Sequence, residues 1–210
     1  MKHQFDIITT GVPLQEAKKA LIMIHGRGGS ATDILSLASH LQVADYALLA
    51  PQATAHSWYP HSFIAPVEDN EPSLSSALAV IGKTVEKAMD AGIKTEHIYF
   101  FGFSQGACLS LEFLARNARA YGGAVAIIGG LIGEEINRTN YGGNFHKTPI
   151  FIGTSNPDFH VPIQRVYATE SILKEMDADV TLKVYDNFGH TIHPEEVEWA
   201  NRLVFKSGSN

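Results

Sequence analysis

One cysteine, Cys108, is all that the 210 residues contain. This excludes an intramolecular disulfide and a cysteine-based zinc cluster, and it points to a reducing compartment. Basic residues are nowhere concentrated: the formal charge is −6 and the sequence pI is about 5.9. Nothing would neutralise a phosphate backbone, so no nucleic-acid partner is expected. Long apolar runs are also lacking. AVAII at 124–128 is far too short to span a bilayer, and MKHQFDIITTG has neither the basic region nor the apolar run of a signal peptide. No stable membrane anchor is expected, and the cytoplasm is the expected location. There is no internal repeat, no low-complexity block and no linker, so with 45% hydrophobic and 18% charged residues the chain should form one domain with a sizeable core. The closing SGSN reads as a tail that carries no argument.

The apolar residues come in short continuous runs: 20–26 (ALIMIHG), 46–52 (YALLAPQ), 97–104 (HIYFFGFS), 122–130 (GGAVAIIGG), 148–155 (TPIFIGTS) and 180–186 (VTLKVYD). Continuity, rather than alternation, is what parallel strands covered on both faces require. QFDIITTG near the N-terminus adds an edge-strand candidate. Helix-like stretches lie between the runs: 32–41 with Ser30 or Thr32 as N-cap, 73–92 with Ser73 as N-cap and Gly92 just past the end, 105–118, 163–178, and 194–205 with Pro194 in its first turn. Strands alternating with helices predict an α/β fold: a mainly parallel sheet with helices on both faces. Residues 53–74 fit neither pattern. With three prolines and three aromatics, they read either as a substrate loop or lid, or as a surface excursion packed by its own aromatics.

Within FGFSQGA, Ser104 stands in GxSxG spacing after a strand and before a helix. There the serine occupies a tight turn at the carboxyl edge of the sheet, and Gly102 and Gly106 let strand and helix cross closely. A serine hydroxyl needs a base and an orienting acid to act as a nucleophile. Active-site groups collect at the carboxyl ends of strands. Asp177 and Asp179 precede the last strand and belong to the opposite edge. Asp158 follows PIFIGTS, which makes it the favoured acid, with Asp186 as the rival; the plainer alternative is an Asx-turn before Pro162. NFGHTIHPEE offers His190 and His193 after the final strand. His190, after Gly189, is the expected base, and His193 stands at the last helix entrance. Their HxxH spacing without HExxH is weak, so no metal is expected. His160 is too near Asp158 along the chain to be its partner.

Acyl transfer also needs backbone donors for the developing oxyanion. HGRGG after the first strand places the Arg27 amide as one donor, and Gln105, the residue after the nucleophile, supplies the other at a helix start. The Arg27 guanidinium could face solvent, pair with a loop carboxylate, or meet an acidic substrate. His25 reads as a structural residue of the turn. Trp58, Tyr59, Phe63 and Ile64 are candidates for an apolar acyl-pocket wall; ordinary loop packing is the alternative.

With these parts in order, the chain resembles the phospholipase/carboxylesterase family of α/β-hydrolases, which includes small carboxylesterases and acyl-protein thioesterases, from about Leu21 to Phe205. The resemblance rests on HGRG at 25–28, GFSQGA at 102–107, DFHVP at 158–162 and GH at 189–190. WYP at 58–60 and EPSL at 71–74 look closer to its bacterial esterase branch. Asn156, where relatives often carry a second acid, and Phe159, where proline is common, depart from the pattern. The resemblance implies a Ser104–Asp158–His190 hydrolase with Arg27 and Gln105 amides at the oxyanion and no metal or organic cofactor. The expected partner is a small acyl ester or thioester; a homodimer is compatible. The rivals are lysophospholipase or acyl-protein thioesterase specificity, and a catalytically idle binding protein using the same cleft. A dienelactone-type hydrolase would want cysteine where Ser104 stands.

Overall fold

Apolar runs separated by amphipathic helices bury themselves best as a sheet with helices on its faces. In the structure, a computed structural model that describes residues 2–206, this is the architecture; SGSN lies outside those residues. Among the described residues one sheet holds β1 (Ile7–Gly11), β2 (Lys19–Ile24), β3 (Tyr46–Pro51), β4 (Ile98–Phe103), β5 (Gly123–Ile127), β6 (Pro149–Asn156) and β7 (Asp179–Asp186), in the order β1-β3-β2-β4-β5-β6-β7. β1 pairs antiparallel with β3, and the other neighbours are parallel. The connecting helices are α1 (Ala31–Ser36), α2 (Ser73–Asp90), α3 (Gln105–Arg116) and α4 (Ile163–Glu175), and α5 (Pro194–Leu203) follows the last strand. No helix among the described residues is long and apolar enough to cross a membrane.

The central strands are buried along nearly their whole length, as their continuous apolar sequence requires. VTLKVYD differs. It forms β7 at the sheet edge, where Val180 is buried and Val184 and Asp186 are exposed. An edge strand has one neighbour, so it tolerates Lys183, whose ammonium lies 4.2 Å from the Trp199 ring centroid.

Of the expected helix caps, one is found and one is displaced. Ser30 caps α1, its hydroxyl accepting from the Asp33 amide at 3.1 Å. Ser73 is the first residue of α2 rather than its cap, and Pro72 takes the cap position. Gly92 follows α2 at φ +90°, a conformation that favours glycine.

The segment 53–74 is anchored at several buried positions and exposed between them. Trp58, Tyr59, Phe63, Asn70 and Ser73 are buried, and the Asn70 side chain accepts from the His61 amide and donates to the Ser62 carbonyl. The Gly133 amide donates to the Phe63 carbonyl at 2.7 Å, tying the segment to the loop after β5.

Between β4 and α3 the chain turns at Ser104, whose φ of 53° and ψ of −118° lie in a region L residues seldom occupy. The turn brings α3 against the end of β2. A Cβ on Gly106 would strike the Ile24 carbonyl and stand 2.6 Å from the His25 carbonyl oxygen; one on Gly102 would stand 2.6 Å from Ser110 Oγ. These obstacles are mostly backbone and cannot rotate away. Gly106→Ala is therefore expected to destabilise the protein by about 2 kcal/mol or more, at the upper part of the usual range for overpacking, read as a lower midpoint in urea denaturation.

Candidate active site

At the carboxyl edge of the sheet, the ends of β4, β6 and β7 bring three side chains into one line. The Ser104 hydroxyl lies 2.8 Å from His190 Nε2, and His190 Nδ1 lies 2.8 Å from Asp158 Oδ2. An ionised carboxylate only accepts, so Nδ1 carries the proton toward Asp158 and Nε2 is left to accept from the serine. Asp158 has no exposed side-chain surface, and His190 is about a quarter exposed. Burial pushes the Asp158 carboxyl up. The His160 amide, the His190 ring and the Val161 amide outweigh that and leave it below its ordinary value. The two amides, at 2.8 Å each, take Asp158 Oδ1 and leave Oδ2 for the histidine. His160 therefore contributes its backbone to Asp158, while its ring stands edge-on to His190 with centroids 5.0 Å apart.

Gln105 opens α3, where first-turn amides have no intrahelical partner and the helix dipole favours negative charge. The Arg27 backbone follows Gly26, at which a Cβ would stand 3.3 Å from that of Ser104. Both amides named in the sequence thus belong to backbone that borders the serine.

The side chains of these two residues have functions no motif announces. Gln105 is buried: its Oε1 accepts from the Trp58 amide and its Nε2 donates to the Tyr59 carbonyl, both at 2.8 Å. Arg27 Nη1 donates to Ser57 Oγ at 3.0 Å and to the Pro60 carbonyl at 2.8 Å, and Nη2 donates to the His61 carbonyl at 2.6 Å. Trp58, fully buried, donates from Nε1 to the His25 carbonyl. His25 bonds Gly26 through Nδ1 and accepts the Ala53 amide at Nε2, while burial lowers its pKa. It is a neutral structural residue.

A cleft of about 580 Å³ opens over Ser104 and His190. Tyr59 and Phe63 line it, together with Cys108, His160 and Val161. Trp58 and Ile64, the other two candidates for the acyl wall, do not line it: Trp58 braces the loop from behind, and Ile64 packs against the core. Cys108 is buried, and burial pushes its thiol up to about 12, which leaves it a poor nucleophile. Asp186, the rival acid, lies at the exposed end of β7. Among the described residues no cluster of three His, Cys, Asp or Glu could hold a metal ion.

A model of the phospholipase/carboxylesterase family matches residues 6–206. A phospholipase/carboxylesterase from Dyadobacter fermentans of known crystal structure is 52% identical, with a TM-score of 0.97 over 98% of this chain and 99% of that one. Acyl-protein thioesterase 1 of Saccharomyces cerevisiae is 30% identical over 94% of this chain and 96% of its own length. The carboxylesterase of Bacillus cereus, at 19% identity and a TM-score of 0.74 over 93% of this chain and 91% of its own, shares the fold.

The loop that carries His190 is held from below. Gly189, at φ +88°, donates its amide to Ser155 Oγ at 3.0 Å. His193 is the N-cap of α5: its Nδ1 accepts from the Glu195 amide, and its own amide donates to Glu196 Oε2 at 2.7 Å, a reciprocal cap. Its ring stacks on Tyr185 at 4.2 Å. The Glu196 carboxyl lies buried against Gly153, in space a Cβ there would fill. Burial pushes it from 4.5 up to about 7, against the opposing His193 hydrogen bond. Between those values the folded protein holds a proton that the unfolded chain releases. The resulting stabilisation, about 3 kcal/mol at most, is fully present below about pH 4.5 and is lost as pH rises through about 7. Glu196→Gln keeps the acceptor without the titration. It is expected to flatten this part of the stability–pH curve in urea denaturation at pH 5, 6, 7 and 8; an unchanged slope would show that another group sets it.

Proposed function

The chain belongs to the phospholipase/carboxylesterase family and is an esterase-type hydrolase; on that premise we propose that it cleaves carboxylic esters or thioesters through an acyl-enzyme formed on Ser104. The observation that carries this reading is the unbroken relay of 2.8 Å contacts from Asp158 through His190 to the Ser104 hydroxyl at the floor of an open cleft.

Ser104 Oγ attacks the acyl carbon while His190 Nε2 takes the hydroxyl proton. Asp158, kept ionised, holds Nδ1–H and stabilises the imidazolium that forms. The oxyanion is received by the Arg27 and Gln105 amides, each such donor being worth about a hundredfold or more in rate. His190 then returns the proton to the leaving alcohol or thiol, and the bond from the acyl carbon to that group breaks. Water repeats the cycle on the acyl-enzyme, with His190 again the base, and releases the acid and the free serine. Nothing in these steps calls for a metal or an organic cofactor.

In this reading residues 53–74 form a fixed wall rather than a swinging lid, because Gln105 and Arg27 bond their backbone from below. Tyr59 and Phe63 supply the apolar part of the acyl surface. The yeast relative's name makes acyl-protein thioester hydrolysis the alternative specificity for the same machinery.

Ser104→Ala is expected to abolish fluorophosphonate labelling and to lower p-nitrophenyl acetate hydrolysis by at least about a thousandfold; Asp158→Asn should lower kcat by about a hundred- to ten-thousandfold by favouring the wrong histidine tautomer. Parental activity in Ser104→Ala would refute the mechanism, and absence of a wild-type adduct would favour an idle binding protein. Esters of graded acyl length, run beside matched thioesters, would then separate the small-ester reading from the acyl-protein one.

A further inference from the structure

The cleft contains a charge that ester hydrolysis itself does not require. Arg27 is exposed and lines the cleft with Ser104 and His190, yet its three described hydrogen bonds all go to neutral acceptors: Ser57 Oγ and the carbonyls of Pro60 and His61. No Asp or Glu lines the cleft. Asp158 is covered and bonded to His190, and Asp33, which lines a smaller depression on the other side of Arg27, accepts from Ser30. Among the described residues no carboxylate lies within 4.0 Å of the guanidinium. In a chain of formal charge −6, the fixed charge lining the active-site cleft is a lone cation.

We propose that Arg27 is a specificity residue whose guanidinium receives an anionic substituent of the substrate, a carboxylate or a phosphate, so that acidic esters are favoured over neutral ones of the same size. The proposal rests on the ester-hydrolase reading and names the substrate class of that site. Three hydrogen bonds and the Tyr59 ring, 6.0 Å from the guanidinium carbon, hold the side chain before substrate arrives, so little rotamer freedom remains to be lost on binding. The bonds use three of the five guanidinium N–H groups. The remaining donors, with a full charge in a concave site, suit an acceptor-rich anion. His61 and His160 also line the cleft.

The test compares kcat/KM for matched pairs by pH-stat titration. Monomethyl glutarate against methyl butyrate places the anion on the acyl side. 4-Acetoxybenzoate against 4-acetoxybenzamide places a carboxylate on the leaving side, and 4-acetoxyphenyl phosphate places a phosphate there. At least one acidic ester should be favoured by about tenfold or more, and that preference should shrink as salt rises from 0.02 to about 0.5 M while the neutral rate holds steady. Arg27→Gln should bring the ratio near unity and Arg27→Lys should retain part of it. Because Arg27 also holds the wall and the oxyanion loop, the ratio rather than the rate is read. Ser62→Asp, which adds a carboxylate to the cleft lining while leaving Arg27 in place, should lower the ratio as well. Neutral-ester hydrolysis without acidic preference in any pair, or a preference that survives Arg27→Gln, overturns the proposal alone. A wild-type enzyme that hydrolyses no ester and takes no fluorophosphonate overturns the ester reading and this one with it.

Discussion

The backbone at Ser104 is the constraint on which the rest of the site depends. A strand and a helix meet there with a positive φ at the junction, a conformation that costs about 1–3 kcal/mol and persists only where surrounding packing over-determines it. The Ser104 amide donates to the Ile127 carbonyl at 2.9 Å, and its carbonyl accepts from Cys108 at 3.0 Å. Neighbouring β5 and the first turn of α3 therefore hold the turn from both sides. With Gly102 and Gly106 bare, α3 can lie close against β2, and that approach sets Gly26 beside the serine. The direction of the Ser104 side chain and the position of the loop after β2 are thus consequences of one steric fit.

Around that turn, polar side chains act mainly by holding backbone. Gln105 bridges two positions of the 53–74 segment, Trp58 reaches back to the His25 carbonyl, neutral His25 holds the Ala53 amide, and Arg27 bonds three acceptors at 57–61. Each buried donor or acceptor left unpaired would cost about 1–3 kcal/mol, so the network resists rearrangement. The same bonds tie the cleft wall to the loop after β2 and to the start of α3, and they keep a cation at its edge without pairing that cation to a carboxylate. The arginine that braces the wall is thus also the cation on which the proposed preference for acidic esters rests.

The histidine side of the site is built differently. His190 sits on a loop whose two ends are fixed by Ser155 under Gly189 and by the reciprocal cap of His193 and Glu196. Glu196 carries an ionisable group into the core at the place where Gly153 makes room for it. The loop that positions His190 is therefore supported by a carboxyl whose ionisation burial disfavours.

Much of this was legible in the chain. Continuous apolar runs imply a parallel sheet because strands covered on both faces have no polar side to show, and GxSxG, DFHVP and GH each mark a strand end because turns there need glycine, proline and side-chain caps. The order of the strands, and hence the 2.8 Å contacts among residues 32 and 86 positions apart, came only with the folded sheet. Residues 53–74 show the limit most clearly: three aromatics suggest an apolar wall, but Trp58 turns into the core as a brace while Tyr59 and Phe63 reach the cleft. Local sequence determined which backbone could bend at Ser104 and which side chains could do acid–base chemistry, since both depend on a residue and its near neighbours. Which side chains share the cleft, what holds Arg27, and which carboxylate meets His190 were decided by tertiary packing, because those outcomes depend on contacts between segments that the chain order leaves unspecified.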